Sequence, residues 1–232
     1  MEIFLLRHFE SIKNTQIRFS SDSDNESLTE NGVAQGKSIS KNISQVLDLL
    51  GINVKNIYCA QSVRARQTAT LIADALSNSV EIQEFKELLS TKSSELVGKT
   101  KEEIWKTDSQ LSIELSLYDA GLYSAYDFHR SVGRDKKKDY EQQVCKCMEM
   151  IIDNGLDEEA KIICLHSSSL TAAVIGYARD LCQYPNNYYG KVNADYGKIF
   201  WLHFGKNEKY FLAANSDSSD ILRVLRSRIC NS

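Results

Sequence analysis

The chain has 232 residues, a formal net charge of -3, 42% hydrophobic residues and 25% charged ones. This is an ordinary globular composition, long enough to bury a core without metals or disulfides, with no global pull toward nucleic acid or a membrane surface. No run approaches the ~20 apolar residues of a membrane span, and "IFLL" is too short for a signal-peptide core, so the expected location is the cytoplasm.

Apolar "IFLL" is the first strand, and it ends abruptly in Arg7-His8. Apolar residues at 33, 39, 43, 46, 47 and 50 have helical spacing, with Thr29 as N-cap and Gly51 as stop. "VKNIYCA" reads as the second strand. "SVRARQTATLIADAL" follows as a helix with Ala65, Ala69, Ile72 and Leu76 inward, and "SVEIQEF" as a third strand. Residues 87 to about 137 read as a lid or insertion, with a Thr100–Glu103 capping box, the aromatics Tyr118, Tyr123, Tyr126 and Phe128, and a basic loop at Lys136–Lys138. The helix "DYEQQVCKCMEMIIDNG", the strand "KIICLH", a helix from near Ser169, a closing hairpin "KIFWLHFGKNEKYFLAA" and a last helix "DSSDILRVLRSRI" complete the chain. Strand and helix patterns alternate, which argues for α/β layering. The six cysteines form no C-x-x-C pair, so neither a zinc knuckle nor a redox motif is indicated, and Cys59 and Cys164 read as buried thiols.

Two strands end alike, at His8 and at His166, and a third runs into a helix with Arg64 in its first turn. Ligands bind beyond the carboxyl ends of strands in open α/β sheets. If these strands are parallel neighbours, two histidines and two arginines share one crevice. That set suits a phosphoryl group. Arg7 and Arg64 offer planar forks of donors, histidine is a nucleophile toward phosphorus, and a carboxylic acid must protonate the leaving oxygen. Glu87, just after the third strand, is preferred for that acid over Glu84 and Glu95.

"LRHFES" with Asn14 resembles the R-H-G-E motif of the histidine phosphatase superfamily, the phosphoglycerate mutase-like family. "SLTENGVAQGKSIS" is similar to its leucine-threonine-acid-x-glycine segment, "VRARQTATLIADAL" to its second arginine motif, "IICLHSSSL" to its second histidine motif and "KVNADYGKIFWL" to its asparagine-led last strand. The motifs keep the family's order over most of the chain. The resemblance implies one three-layer α/β/α domain over residues 1–232, with a doubly wound, mostly parallel sheet and the lid at about 87–137. It also implies metal-free, cofactor-free phosphoryl transfer. His8 would become a phosphohistidine; Arg7, Arg64 and His166 would clamp the phosphoryl oxygens, with Asn14 and Ser167 contacting them; Glu87 would protonate the leaving group and then activate water.

The pattern is broken at four places. Phe9 stands for a glycine and puts a bulky ring beside the nucleophile. Ala60 removes a hydroxyl that often precedes the second arginine. Ser167 and Ser168 replace glycines, as substitute contacts or as helix caps. His203 reads as a satisfied strand residue, and His129-Arg130 as lid surface.

The expected function is a phosphomonoesterase of histidine acid phosphatase-like type, acting on a small phosphorylated substrate. The absence of an adjacent arginine pair in residues 87–137, where only Arg130 and Arg134 occur, favours hydrolysis over a phosphoglycerate mutase reaction. A non-catalytic phospholigand-binding protein is the reading from another class. Oligomeric state has no sequence signal here.

Overall fold

The computed structural model describes residues 1–16, 26–90, 97–119, 134–153, 159–182, 195–204 and 209–229. Six strands form one sheet: β1 (Glu2–Arg7), β2 (Val54–Ala60), β3 (Glu81–Phe85), β4 (Ala160–Leu165), β5 (Ile199–Phe204) and β6 (Lys209–Ser216). Their order is β3-β2-β4-β1-β5-β6. β3, β2, β4 and β1 run parallel, β5 runs antiparallel to β1, and β6 antiparallel to β5. The central strands are buried on both faces, as a parallel sheet covered by helices requires: all six residues of β4 are buried, and four of the six in β1.

The helices are α1 (Ile12–Thr15), α2 (Glu30–Leu50), α3 (Val63–Ala75), α4 (Lys101–Thr107), α5 (Ser109–Asp119), α6 (Arg134–Asp153), α7 (Ser167–Cys182) and α8 (Ser218–Ile229). α2 packs on α3 and α8, and α6 on α7, giving two helix groups around the sheet. The expected α/β/α class is the observed one. Thr29 caps α2 by accepting from the Gly32 N–H, and Gly51 closes it. Thr100 and Glu103 form the expected reciprocal cap of α4.

Two boundaries differ from expectation. α6 starts at Arg134, so Lys136–Lys138 lie in its first turns and not in a loop. α7 starts at Ser167, directly after the second histidine. Two polar clusters sit away from that edge. Lys161 of β4 is fully buried, and its Nζ donates to the carbonyls of Ile151 and Ile152, where it meets the negative end of the α6 dipole. His203 is the expected satisfied strand residue, with Nδ1 2.5 Å from Glu2 Oε1 at the other end of β1 from His8. Among the described residues no helix is long and apolar enough to cross a membrane.

Candidate active site

β1 and β4 pair in register as far as Arg7 with Leu165. His8 and His166 are the next residue of each strand, so they leave the sheet side by side at its carboxyl edge. The His8 N–H extends the ladder to the Leu165 carbonyl at 2.9 Å. The two rings stand edge to face, with centroids 5.1 Å apart, and both are buried.

Backbone chemistry fixes how His8 carries its proton. Its Nδ1 lies 2.7 Å from the Phe9 carbonyl, which can only accept, so Nδ1 holds the hydrogen and Nε2 keeps a lone pair. Burial, then the charges of Arg7 and Arg64, hold the imidazole well below its ordinary pKa of 6.5 and keep Nε2 unprotonated.

His166 is fixed from both sides. Arg64 Nη2, a donor only, lies 3.3 Å from its Nδ1, and Ser62 Oγ lies 3.1 Å from its Nε2. The ring is therefore neutral, with its hydrogen on Nε2 and donated to Ser62. Burial lowers its pKa most, followed by His8, Arg64, Arg7 and Lys13. Ser62 also caps α3 by accepting from the Ala65 N–H. The hydroxyl that Ala60 lacks is thus supplied two residues later, from the helix cap.

The remaining motif residues brace this edge. Thr68 Oγ1 donates to the Arg64 carbonyl and accepts from the Phe9 N–H, tying α3 to the end of β1. Gln67 Oε1 accepts from the Leu28 N–H at 2.8 Å. Thr29 donates to Glu10 Oε1 at 2.7 Å, and its N–H reaches the Glu10 carbonyl. A side chain at Gly32 would meet that same carbonyl oxygen at 2.0 Å, which explains the glycine in the threonine-led segment.

Phe9 corrects an expectation. Its ring is fully buried, packed toward Gly36 of α2 and Gly197 of the turn before β5. The bulk that the family's glycine avoids is taken up by glycines elsewhere.

The other expected residues divide. Asn14 Oδ1 accepts from the Ser11 N–H and hydroxyl, which turns the half-buried Asn14 amide into the brace of α1 and leaves its NH2 as the donor end. Ser167 is buried at the first position of α7, and its Oγ finds no hydrogen-bond partner among the described residues. Ser168 is instead a brace, with Oγ 3.0 Å from Ser90 Oγ and 3.3 Å from Tyr140 Oη.

Glu87 lies in the short 3-10 turn Lys86–Leu88 after β3, on the same sheet edge as the histidines, and its carbonyl is held by Gln143. After burial, its charge helps push the Cys147 thiol up. Glu84 is ion-paired with Arg66 at 2.9 Å on the surface. Glu95, Asn193, His129 and Arg130 lie outside the described residues. Sequence reasoning missed three members of this edge: Ser62, Lys13 and Tyr196. Lys13 acts on both imidazoles, and the Tyr196 ring lies against Arg7 and near His8. Lys13 had a legible signal, being a cation inside the first motif, and Tyr196 lies inside the asparagine-led segment, with nothing local to link it to Arg7.

The model of the histidine phosphatase superfamily (branch 1) matches residues 3–217. The chain belongs to the histidine phosphatase superfamily. Solved structures of similar fold span it almost end to end. A phosphoglycerate mutase from Bacillus anthracis superposes with TM-score 0.69 at 15% identity, covering 97% of this chain and 96% of that one. A mutant phosphoserine phosphatase from Entamoeba histolytica, solved with phosphoserine, gives 0.65 at 19%, covering 93% and 97%. An alpha-ribazole phosphatase from Shigella flexneri gives 0.64 at 17%, covering 94% and 97%. At these identities the likeness is one of fold. No curated protein sequence matches the chain. Membership in the superfamily accounts for the order in which the braces and the two histidines occur along the chain.

Proposed function

We propose that the protein is a metal-independent phosphomonoesterase that works through a phosphohistidine on His8. The observation that carries this reading is the state of His8: a buried imidazole whose Nδ1–H is committed to Phe9, leaving an unprotonated Nε2 beside Arg64, Arg7 and His166.

Mechanistically, the phosphoryl dianion enters an edge that carries the cations Arg7, Arg64 and Lys13. The guanidinium groups hold its oxygens in place and meet the charge that develops in transfer. His8 Nε2 attacks phosphorus in line, the ester P–O bond breaks, and Glu87 gives its proton to the leaving oxygen. Water, activated by the Glu87 carboxylate, then attacks phosphorus and frees His8 with release of inorganic phosphate. The Ser167 hydroxyl and the Asn14 amide complete the set of oxygen contacts, joined by His166 when its Nε2–H turns from Ser62 to a phosphoryl oxygen. The whole chain acts as one domain, with residues 87–137 as the lid that selects the substrate. The related folds include proteins solved with phosphoserine and with 3-phosphoglyceric acid, which supports a small phosphorylated metabolite as substrate.

The test is release of inorganic phosphate from an aryl phosphate with chelator present, beside His8→Ala. Turnover in the parent and none in the variant is expected. Equal turnover in both would sink the assignment. Phosphoglycerate isomerised without phosphate release would make it a mutase, and phosphate bound without any turnover a binding protein.

A further inference from the structure

Tyr196, within the asparagine-led segment before β5, is the aromatic neighbour of the clamp. Its ring centroid lies 4.2 Å from Arg7 Cζ, and 6.2 Å from the His8 ring at an interplanar angle of 39°. Residues 195–198 form a turn closed by the Lys198 N–H on the Asp195 carbonyl at 3.3 Å. The turn is held on every side. Gly197 has φ 72°, and a side chain there would meet Ile39 Cδ1 of α2 at 2.3 Å. Lys198 is ion-paired at 2.7 Å with Asp217, just before α8. β5 follows at once, and its last pair with β1 is Ile199 with Leu6, which sets the turn alongside Arg7.

The physical consequence concerns the plane of the guanidinium. An arginine clamps a phosphoryl group through N–H bonds that lie in its plane, while its faces are weakly hydrated and stack on aromatic rings. A ring anchored against the guanidinium restrains rotation about the last side-chain bonds without itself engaging the in-plane N–H donors. We infer that Tyr196 is a positioning residue that sets the plane of Arg7 for phosphoryl binding. This rests on the phosphoryl site proposed above.

The experiment is calorimetric titration of the full chain with inorganic phosphate and with orthovanadate, alongside thermal unfolding. Tyr196→Leu weakens binding by about tenfold, the size of a partly desolvated cation–π contact, with the melting temperature held. Tyr196→Phe keeps the ring and retains the affinity to within about twofold. Tyr196→Met is carried beside the leucine variant, in case one of the two fails to fold. In an Arg7→Lys background, which has no planar face to stack, the Tyr196→Leu step falls below about twofold. Parent-like binding by the leucine and methionine variants overturns the inference. So does a phenylalanine variant as weak as leucine, or a full tenfold step in the lysine background, which would place the ring on the ligand. A parent that binds neither anion overturns the phosphoryl site itself, and this inference with it.

Discussion

Nδ1 of His8 donates to the carbonyl of Phe9, the next residue in the chain, over 2.7 Å. A backbone acceptor cannot change its role with pH, so the ring presents the same nitrogen to substrate throughout the working range. The trapped intermediate should therefore carry phosphorus on Nε2. Phosphorus NMR of protein quenched in base after reaction with an aryl phosphate distinguishes the two isomers. An Nδ1 adduct would contradict the geometry.

Ser62 does two things with one oxygen: it caps α3 and receives the His166 Nε2–H. Ser62→Ala should cost about 1 kcal/mol of stability from the cap alone. It should also lower kcat by about tenfold as the His166 ring loses its anchor, in line with one uncharged hydrogen bond. Ser62→Thr should restore most of both. Unfolding curves and steady-state rates read the two effects separately, and an alanine variant with full kcat would remove Ser62 from the site.

Acid should destabilise the protein through its two histidines. Both are held below 6.5 when folded, by burial first and then by neighbouring charges: Arg7, Arg64 and Lys13 for His8, and those three with His8 for His166. Both return to about 6.5 on unfolding. Below 6.5 the unfolded chain binds protons that the folded chain refuses. The contribution is therefore complete above 6.5 and is lost as pH falls toward the lower folded values, by at most about 1.4 kcal/mol per pH unit for each ring. Melting temperature should drop between about pH 7 and pH 5.5, and less steeply in His166→Gln. A parent profile that is flat or rises over that interval would reverse the sign.

Phe9 and Gly36 should be energetically coupled. An alanine Cβ at Gly36 would meet Phe9 Cδ2 at 2.6 Å and Leu71 Cδ1 at 2.7 Å. In the parent, Gly36→Ala should destabilise by roughly 1–3 kcal/mol through overpacking. In a Phe9→Ala background the same change should become neutral or stabilising, since alanine is the better helix former by about 1 kcal/mol. Denaturant unfolding of the four proteins closes the cycle, and additive effects would mean the ring and the helix do not share this space.

Much of this architecture is written in short-range pattern. The run from Ile3 to Leu6, the Thr29 and Gly51 ends of α2, and the inward Ala65, Ala69 and Ile72 of α3 follow from spacing and capping, which are local properties. The meeting of His8 and His166 was legible too, because parallel strands of similar length bring equivalent ends together. What escaped depends on distant parts of the chain. The fate of the Phe9 ring is decided by glycines at 36 and 197. The hydroxyl on His166 comes from Ser62, where a position-by-position comparison looks only at Ala60. Tyr196 is one tyrosine among 11, and only the pairing of β5 with β1 brings it to Arg7. Lys136–Lys138 looked like a loop because charge was read without the helix that continues through it.

The position of β1 in the sheet has a consequence for how the protein comes into being. β1 leads into His8, yet its two neighbours are β4, where Glu2 pairs with Ala160, and β5, where Leu6 pairs with Ile199. At ribosomal speeds of about 5–20 residues per second, His8 waits on the order of ten seconds or more for the strand that seats it. β2 and β3, which do pair with each other, can meet meanwhile without it. A nascent chain stopped short of Ala160 holds Arg7 and His8 without β4 beside them, so this edge of the sheet is assembled only once its middle strand has been made.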